Sequence, residues 1–233
     1  SMLKNNIDSY KHALSCDPIS AFGGIVSCNF KITKSLAFEL KKKFLEVVIA
    51  NGFDKNSLKI LKSKKSLRLI DASNFSFNES FKFNSIDNSI LLQSEDRQIL
   101  SKKNFQIVSK KKPNKSQFDN LIFAFNVCRH VKSNAIVLVS NGSTIGIGSG
   151  QPSRLDSCKI AIDKMNKFTK NKNEIVAASD AFFPFVDGIE KLVQAGVSAV
   201  IQPSGSIRDK DIIKFANETG TILIFSKTRH FRH

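Results

Sequence analysis

The sequence is short of acid. Twenty Asp and Glu stand against 36 Lys and Arg, a formal charge of +16, and such an excess can mark a polyanionic partner. What the sequence lacks, however, is the pattern that would make that partner a nucleic acid. The lysine runs at 41–43, at Lys62, Lys64 and Lys65, and at 110–112 are dispersed between apolar segments, with no RNA-binding aromatic motif beside them. They read as solvated faces, and no nucleic-acid partner is expected. No apolar run approaches the roughly 20 residues that span a bilayer, and the opening SMLKNNIDSYKHAL has no signal-peptide core. A soluble cytoplasmic protein without a membrane partner is the expectation. The four cysteines, Cys16, Cys28, Cys128 and Cys158, form no C-x-x-C pair and have no histidine at ligand spacing. They read as reduced, mostly buried thiols, and no metal is expected. His12 and His130 lie in helical patterns, and His230 and His233 in the last residues.

A dinucleotide fingerprint is also missing. GIGSGQPSR supplies Gly146, Gly148 and Gly150 but then Gln151, which breaks the G-x-G-x-x-G spacing of a Rossmann turn. Pro152, Ser153 and Arg154 open a helix there instead, with Ser153 placed as its N-cap.

What is present is a chain long enough to bury a core, with 41% hydrophobic residues and an α/β pattern. NAIVLVSNGSTIGIG reads as two strands joined across Asn141-Gly142, a strong hairpin signal. A helix follows with Leu155, Cys158, Ile162 and Met165 at helical spacing. Three apolar runs, EIVAAS, VSAVIQ and TILIF, alternate with helical patterns ending at Gly196 and Gly220. This is a β-α-β-α-β unit, and its sheet should be parallel. The first half repeats the theme with strands at GGIVSC, LEVVIA and LRLIDA and helices from Lys34 and Lys55. Residues 73–88 show no period and read as a loop or extended excursion. SKKKPNKSQ, residues 109–117, reads as a linker, which divides the chain into lobes at 1–112 and 113–233.

Ligands of open α/β sheets bind beyond the carboxyl ends of the strands. GIGSGQPSR, SDAFFPF, QPSGSIRD and SKTRHFRH all fall there. Each alone has an ordinary reading as a turn, a core plug or a frayed tail. Together they offer backbone N–H groups, the hydroxyls of Ser204 and Ser206, the guanidiniums of Arg154 and Arg229, and the rings of Phe182, Phe183 and Phe185. That set suits an anionic ligand carrying a flat ring.

CDPISAFGGIV, KSNAIVLVSNGSTIGIGSGQPSR, ASDAFFPFVDGIEKLVQAGVSAVIQPSGSIRDKD and TRHFRH closely resemble the AICAR transformylase domain of bifunctional purine biosynthesis proteins, in its C-terminal portion. The resemblance implies two lobes similar to cytidine deaminase folds without the zinc, with mixed and parallel sheets flanked by helices. It implies formyl transfer from 10-formyltetrahydrofolate to the 5-amino group of AICAR ribonucleotide, on the way to IMP, by a homodimer that needs no metal. Carried over residue by residue, it places Gly23, Asn134, Arg154, Phe182 and Arg229 on the nucleotide and Glu46 on the ribose. Ile19, Leu155, Pro184, Asp187 and Ser206 fall to the folate. Arg229 would bind the 5′-phosphate, and Asn134, in a supporting catalytic role, would hold the carboxamide and amine with Arg154.

The family's catalytic Lys-His pair and its cyclohydrolase domain lie upstream of the matching segment. Lys11-His12 falls in a helix where that motif does not lie, and Arg129-His130 has no claim to its role. With Ser1-Met2 reading as a cloning remnant, the expectation is a piece of a longer enzyme that transfers formyl groups very weakly alone. The alternatives are a non-catalytic nucleotide- or folate-binding half-domain and, further off, a basic nucleic-acid-binding protein.

Overall fold

The structure, a computed structural model, describes residues 1–76, 81–98, 100, 102–170 and 172–232. It divides into two compact units, one formed by Ser1–Pro18 with Leu100–His233 and the other by Ile19–Ile99. The boundary expected near residue 113 falls inside the larger unit, where residues 109–117 are tied down rather than free. Lys110 N donates to Asn217 Oδ1 at 2.7 Å, and Leu223 N donates to Ser109 Oγ at 2.8 Å.

The larger unit opens with α1 (Asn6–Ser15), whose first N–H groups are capped by the Asn5 side chain. The chain then builds the smaller unit from β1 (Gly24–Cys28), α2 (Lys34–Lys41), β2 (Leu45–Ala50), α3 (Lys55–Leu61) and β3 (Arg68–Asp71). The three strands pair in parallel in the order β1-β2-β3. Leu36, Ala37 and Leu40 of α2, Leu61 of α3 and Val48 of β2 are among its buried apolar side chains. β4 (Phe81–Ile86) and β5 (Ser89–Ser94) form an antiparallel hairpin with every residue exposed. The stretch expected to be a loop or an extended excursion therefore holds an extended strand, although its residues 77–80 lie outside the described residues. With neither face buried, nothing imposes the alternation by which a strand is read from sequence.

The larger unit continues through a 3₁₀ turn at Lys102–Asn104, β6 (Phe105–Ile107), α4 (Lys115–Cys128), β7 (Ile136–Ser140), β8 (Ser143–Gly148) and α5 (Arg154–Phe168). It ends with β9 (Val176–Ser179), α6 (Val186–Gln194), β10 (Ala199–Pro203), α7 (Asp209–Glu218) and β11 (Ile222–Ser226). Six strands form one mixed sheet in the order β6-β11-β10-β9-β7-β8. Helix α4 covers one face, packing Leu121, Ala124, Phe125 and Cys128 against Val137, Val176, Ile201 and Ile222. On the other face Cys158, Ala161, Ile189, Leu192 and Ile212 of α5, α6 and α7 meet Ile136, Leu138, Val200 and Leu223. Burial on both faces explains the continuous apolar runs of β7, β9, β10 and β11. The fold is α/β, with parallel and mixed sheets flanked by helices.

Two local expectations come out distinctly. Asn141 and Gly142 both take positive φ, 49° and 70°, as a two-residue hairpin turn requires. Ser153 stands at the N-cap of α5, but its side chain makes no capping bond. The glycine-rich run has a packing cause. A Cβ on Gly146 would lie 2.1 Å from the Ala161 carbonyl oxygen, and one on Gly148 would lie 1.9 Å from that of Ser157. These glycines let the backbone of α5 approach β8, and with it fix where Arg154, the first residue of α5, emerges.

Candidate functional site

Strand direction decides which loops meet. β9, β10 and β11 are parallel, so their carboxyl ends, at Ser179, Pro203 and Ser226, share one edge of the sheet. β7 lies antiparallel between β9 and β8, with Ile136 opposite both Ser179 and Gly148. The start of β7 and the end of β8 therefore reach that same edge. Five segments converge: 133–135, 149–154, 180–185, 204–208 and 227–232. Among the expected residues, Asn134, Arg154, Leu155, Phe182, Pro184, Asp187, Ser206 and Arg229 lie on these segments or on the first turns of α5 and α6.

The centre of the edge is a hydrogen-bonded cluster around Arg154. Its Nη2 donates to Asn134 Oδ1 at 2.6 Å, and its Nη1 donates to Ser179 Oγ at 3.0 Å and to Asp180 Oδ1 at 2.5 Å. Asn134 Nδ2 in turn donates to the carbonyls of Gln151 and Pro152, each at 2.9 Å. The amide of Asn134 thus spends both its donors on the loop that leads into α5. Arg154 is 10% exposed and Asp180 wholly buried. A buried pair of this kind is costly unless further hydrogen bonds meet its charges. Here the second Asp180 oxygen accepts from Ser133 Oγ at 2.5 Å, while the Nε of Arg154 and one Nη2 hydrogen have no acceptor among the described residues.

A second cation lies on the same edge. Arg229 places its guanidinium 4.8 Å from the centroid of Phe182, and among the described residues it has no hydrogen-bonded acceptor or acidic partner. The tail that carries it is anchored on both sides of the cluster. His230 N donates to Asp180 O at 3.0 Å, Ser133 N donates to Arg232 O at 2.9 Å, and Arg232 N donates to Ser133 Oγ at 3.1 Å. The terminal His233 of the quoted motif lies outside the described residues. The 204–208 loop is braced by its own helix: Gly205 N and Ser206 N donate to the Asp209 carboxylate, and Arg208 sits over the Phe185 ring at 5.1 Å.

The remaining expected residues are placed as follows. Leu155 follows Arg154 on α5 and is half-buried, Pro184 and Asp187 are exposed, and Ser206 Oγ accepts from Arg208 N at 3.1 Å. Asp187 Oδ1 accepts from Gly188 N at 2.7 Å, leaving its other oxygen without a partner among the described residues. Ile19, Gly23 and Glu46 belong to the smaller unit. There Glu46 Oε1 lies 3.6 Å from where a Cβ on Gly23 would stand, and Ile19 is exposed. A groove of about 560 Å³ lined by Phe105, Ile107, Pro113, Asn114, Lys115, Phe118 and Asp119 contains none of the expected residues.

Asp180, Ser179 and Ser133 carry the cluster and were not singled out as site residues from the sequence. A signal existed for Asp180: it is the lone carboxylate in an otherwise apolar loop at a strand's carboxyl end. Among the described residues, no group of three or more His, Cys, Asp or Glu could hold a metal. No helix among them is long and apolar enough to cross a membrane.

Residues 1–164 match the family model described as AICARFT/IMPCHase bienzyme. The chain belongs to this family. It is 45% identical over 226 residues to the bifunctional purine biosynthesis protein PurH of Aquifex aeolicus (strain VF5), a match covering 97% of the chain and 44% of that protein. It is also 45% identical over 231 residues to PurH of Caldicellulosiruptor bescii, covering 99% of the chain and 44% of that protein. The chain therefore spans less than half the length of these relatives. Among solved structures, the apo dCMP deaminase from the cyanophage S-TIM5 matches at 18% identity and a TM-score of 0.34, over 48% of this chain and 98% of that one. That likeness is too slight to bear on fold or function.

Proposed function

We propose that the chain is the C-terminal portion of an AICAR transformylase and carries its nucleotide- and folate-binding face. The reaction is transfer of a formyl group from 10-formyltetrahydrofolate to the 5-amino group of AICAR ribonucleotide, a step of cytoplasmic purine biosynthesis by a homodimer. One observation carries the reading: at one sheet edge a guanidinium neutralised by Asp180 adjoins segments bearing a second guanidinium, Arg229, that has no acid of its own. A phosphate needs an uncompensated cation, and Arg229 supplies it. A carboxamide needs directed donors, and the open N–H groups of Arg154 supply those. Asn134 contributes by holding that guanidinium and by the spare lone pair of its Oδ1, so its supporting part in catalysis is orientation of the amine and carboxamide. Phe182 flanks the ring of the nucleotide.

The folate residues fit a pterin in chemistry. Leu155 and Pro184 supply apolar surface, the open oxygen of Asp187 suits ring N–H donors, and Ser206 offers a hydroxyl. Gly23 and Glu46 are assigned to the nucleotide and its ribose, and Ile19 to the folate, by family resemblance alone.

Calorimetric titration of this chain with AICAR ribonucleotide, repeated with Arg229→Ala, tests the reading. Saturable binding that weakens at least tenfold in the variant is expected, since a charge-assisted contact contributes about 1.5–3 kcal/mol. A well-folded chain that takes up no nucleotide contradicts it.

A further inference from the structure

Asp180 reaches three separate segments of the chain at once. One carboxylate oxygen takes Nη1 of Arg154 at the start of α5, and the other takes Oγ of Ser133 in the loop before β7. Its backbone carbonyl takes N–H of His230 in the tail beyond β11. Each of these segments bears a residue of the proposed nucleotide site. Arg154 is itself the partner, Asn134 follows Ser133, and Arg229 precedes His230.

We propose that Asp180 is the positioning residue of the site: by gripping Arg154 and Ser133 on its two oxygens, it fixes the orientation in which Arg154 and Asn134 present themselves to the nucleotide. The proposal rests on the formyltransferase reading for the identity of the ligand. Stability alone is a weak reason for the arrangement, because the desolvation of a buried ion pair offsets much of its attraction and an apolar pair would serve the core as well. Orientation is a better one. Ser179, Asp180 and Asn134 accept from the Nη groups and lock the plane of the guanidinium, leaving Nε and one Nη2 hydrogen as the donors with a set direction. The pair is also neutral. Arg154 therefore offers hydrogen bonds without net charge, which suits a carbonyl and an uncharged amine and leaves the phosphate to Arg229.

Two readings on Asp180→Asn test this. The first needs no ligand: rotation of the Arg154 guanidinium about Nε–Cζ, followed by ¹⁵N NMR. It should be slow in the wild-type chain, with distinct Nη signals, and averaged in the variant. The second is calorimetric affinity for AICAR ribonucleotide, expected to fall on the order of 10- to 100-fold. Here a double-mutant cycle with Arg154→Lys separates positioning from general damage. Positioning makes the double variant no weaker than the worse single one, whereas independent structural damage makes the losses multiply. If Asp180→Asn does not fold, Ser133→Ala releases one carboxylate oxygen and should show both effects in smaller measure. An Arg154 guanidinium as restrained in the variant as in the wild type, unchanged affinity, or multiplying losses overturns the proposal. A wild-type chain that binds no AICAR ribonucleotide defeats the formyltransferase reading instead, and the NMR arm still decides whether Asp180 sets Arg154.

Discussion

Arg229 lies over the ring of Phe182, its guanidinium carbon 4.8 Å from the ring centroid. The stack orders an otherwise exposed side chain in the last residues of the chain, where frayed conformations are the default. It also leaves the edge of the guanidinium open, because a cation–π contact uses the face and not the N–H groups. Phe182→Leu keeps apolar bulk but removes the π-face. Affinity for AICAR ribonucleotide should fall about three- to tenfold, in line with roughly 1 kcal/mol for a partly exposed cation–π contact. Thermal unfolding of the variant should stay close to wild type. Equal affinity in Phe182→Leu would show that the stack does not prepare Arg229 for its ligand.

Gly148 and Gly150 stand two residues apart and should respond very differently to alanine. A Cβ at Gly148 would meet the Ser157 carbonyl oxygen at 1.9 Å, a backbone atom that can yield only if α5 moves. Gly148→Ala should therefore cost about 3 kcal/mol or more and displace Arg154 with its helix. At Gly150 the nearest atoms belong to the flexible Lys132 side chain at 3.8 Å, and the cost is that of a φ of +68°, about 1 kcal/mol. Denaturant unfolding of the two variants measures the difference. Similar losses would contradict the close approach of α5 to β8.

Much of this was readable in the sequence, and the parts that were not share a cause. The β9-α6-β10-α7-β11 run shows itself through apolar segments separated by helices that end at Gly196 and Gly220, all of it local pattern. The Asn141-Gly142 turn likewise announces the pairing of β7 with β8. Nothing local says that β7 also pairs with β9, and that pairing brings Ser133 and Asn134 beside Asp180. Asp180 escaped for the same reason, since its side-chain partners lie 26 and 47 residues away. Residues 109–117 carry every composition signal of a linker, and they are held by Asn217 and Leu223, more than a hundred residues later. The β4–β5 hairpin was missed differently, because a strand without a buried face carries no alternation.

The cysteines were expected to be mostly buried, and Cys128 and Cys158 are fully so. Burial pushes the Cys158 thiol up to about 12. Burial, aided by the nearby charge of Asp180, holds Cys128 well above the ordinary thiol value of 9.0. The folded chain thus keeps protons that the unfolded chain releases as pH rises through that ordinary value. Stability tied to these thiols is fully present below it and declines as pH climbs toward the folded values, by about 1.4 kcal/mol per pH unit for each thiol. Denaturant unfolding followed upward from about pH 8 should show this fall. In Cys158→Ala the slope should shrink by one thiol's share, whatever the absolute cost of the cavity. An unchanged slope would mean that Cys158 does not hold its proton as its burial requires.

The central claim is that the carboxyl edge of β9, β10 and β11, completed by the start of β7, is the nucleotide site. A crystal structure of this chain with AICAR ribonucleotide tests it most directly. The account predicts the 5′-phosphate on the Arg229 guanidinium, the imidazole ring beside Phe182 and the carboxamide on the open N–H groups of Arg154. Nucleotide bound elsewhere, as in the groove lined by Phe105 and Phe118, with Arg229 and Arg154 untouched, would contradict it.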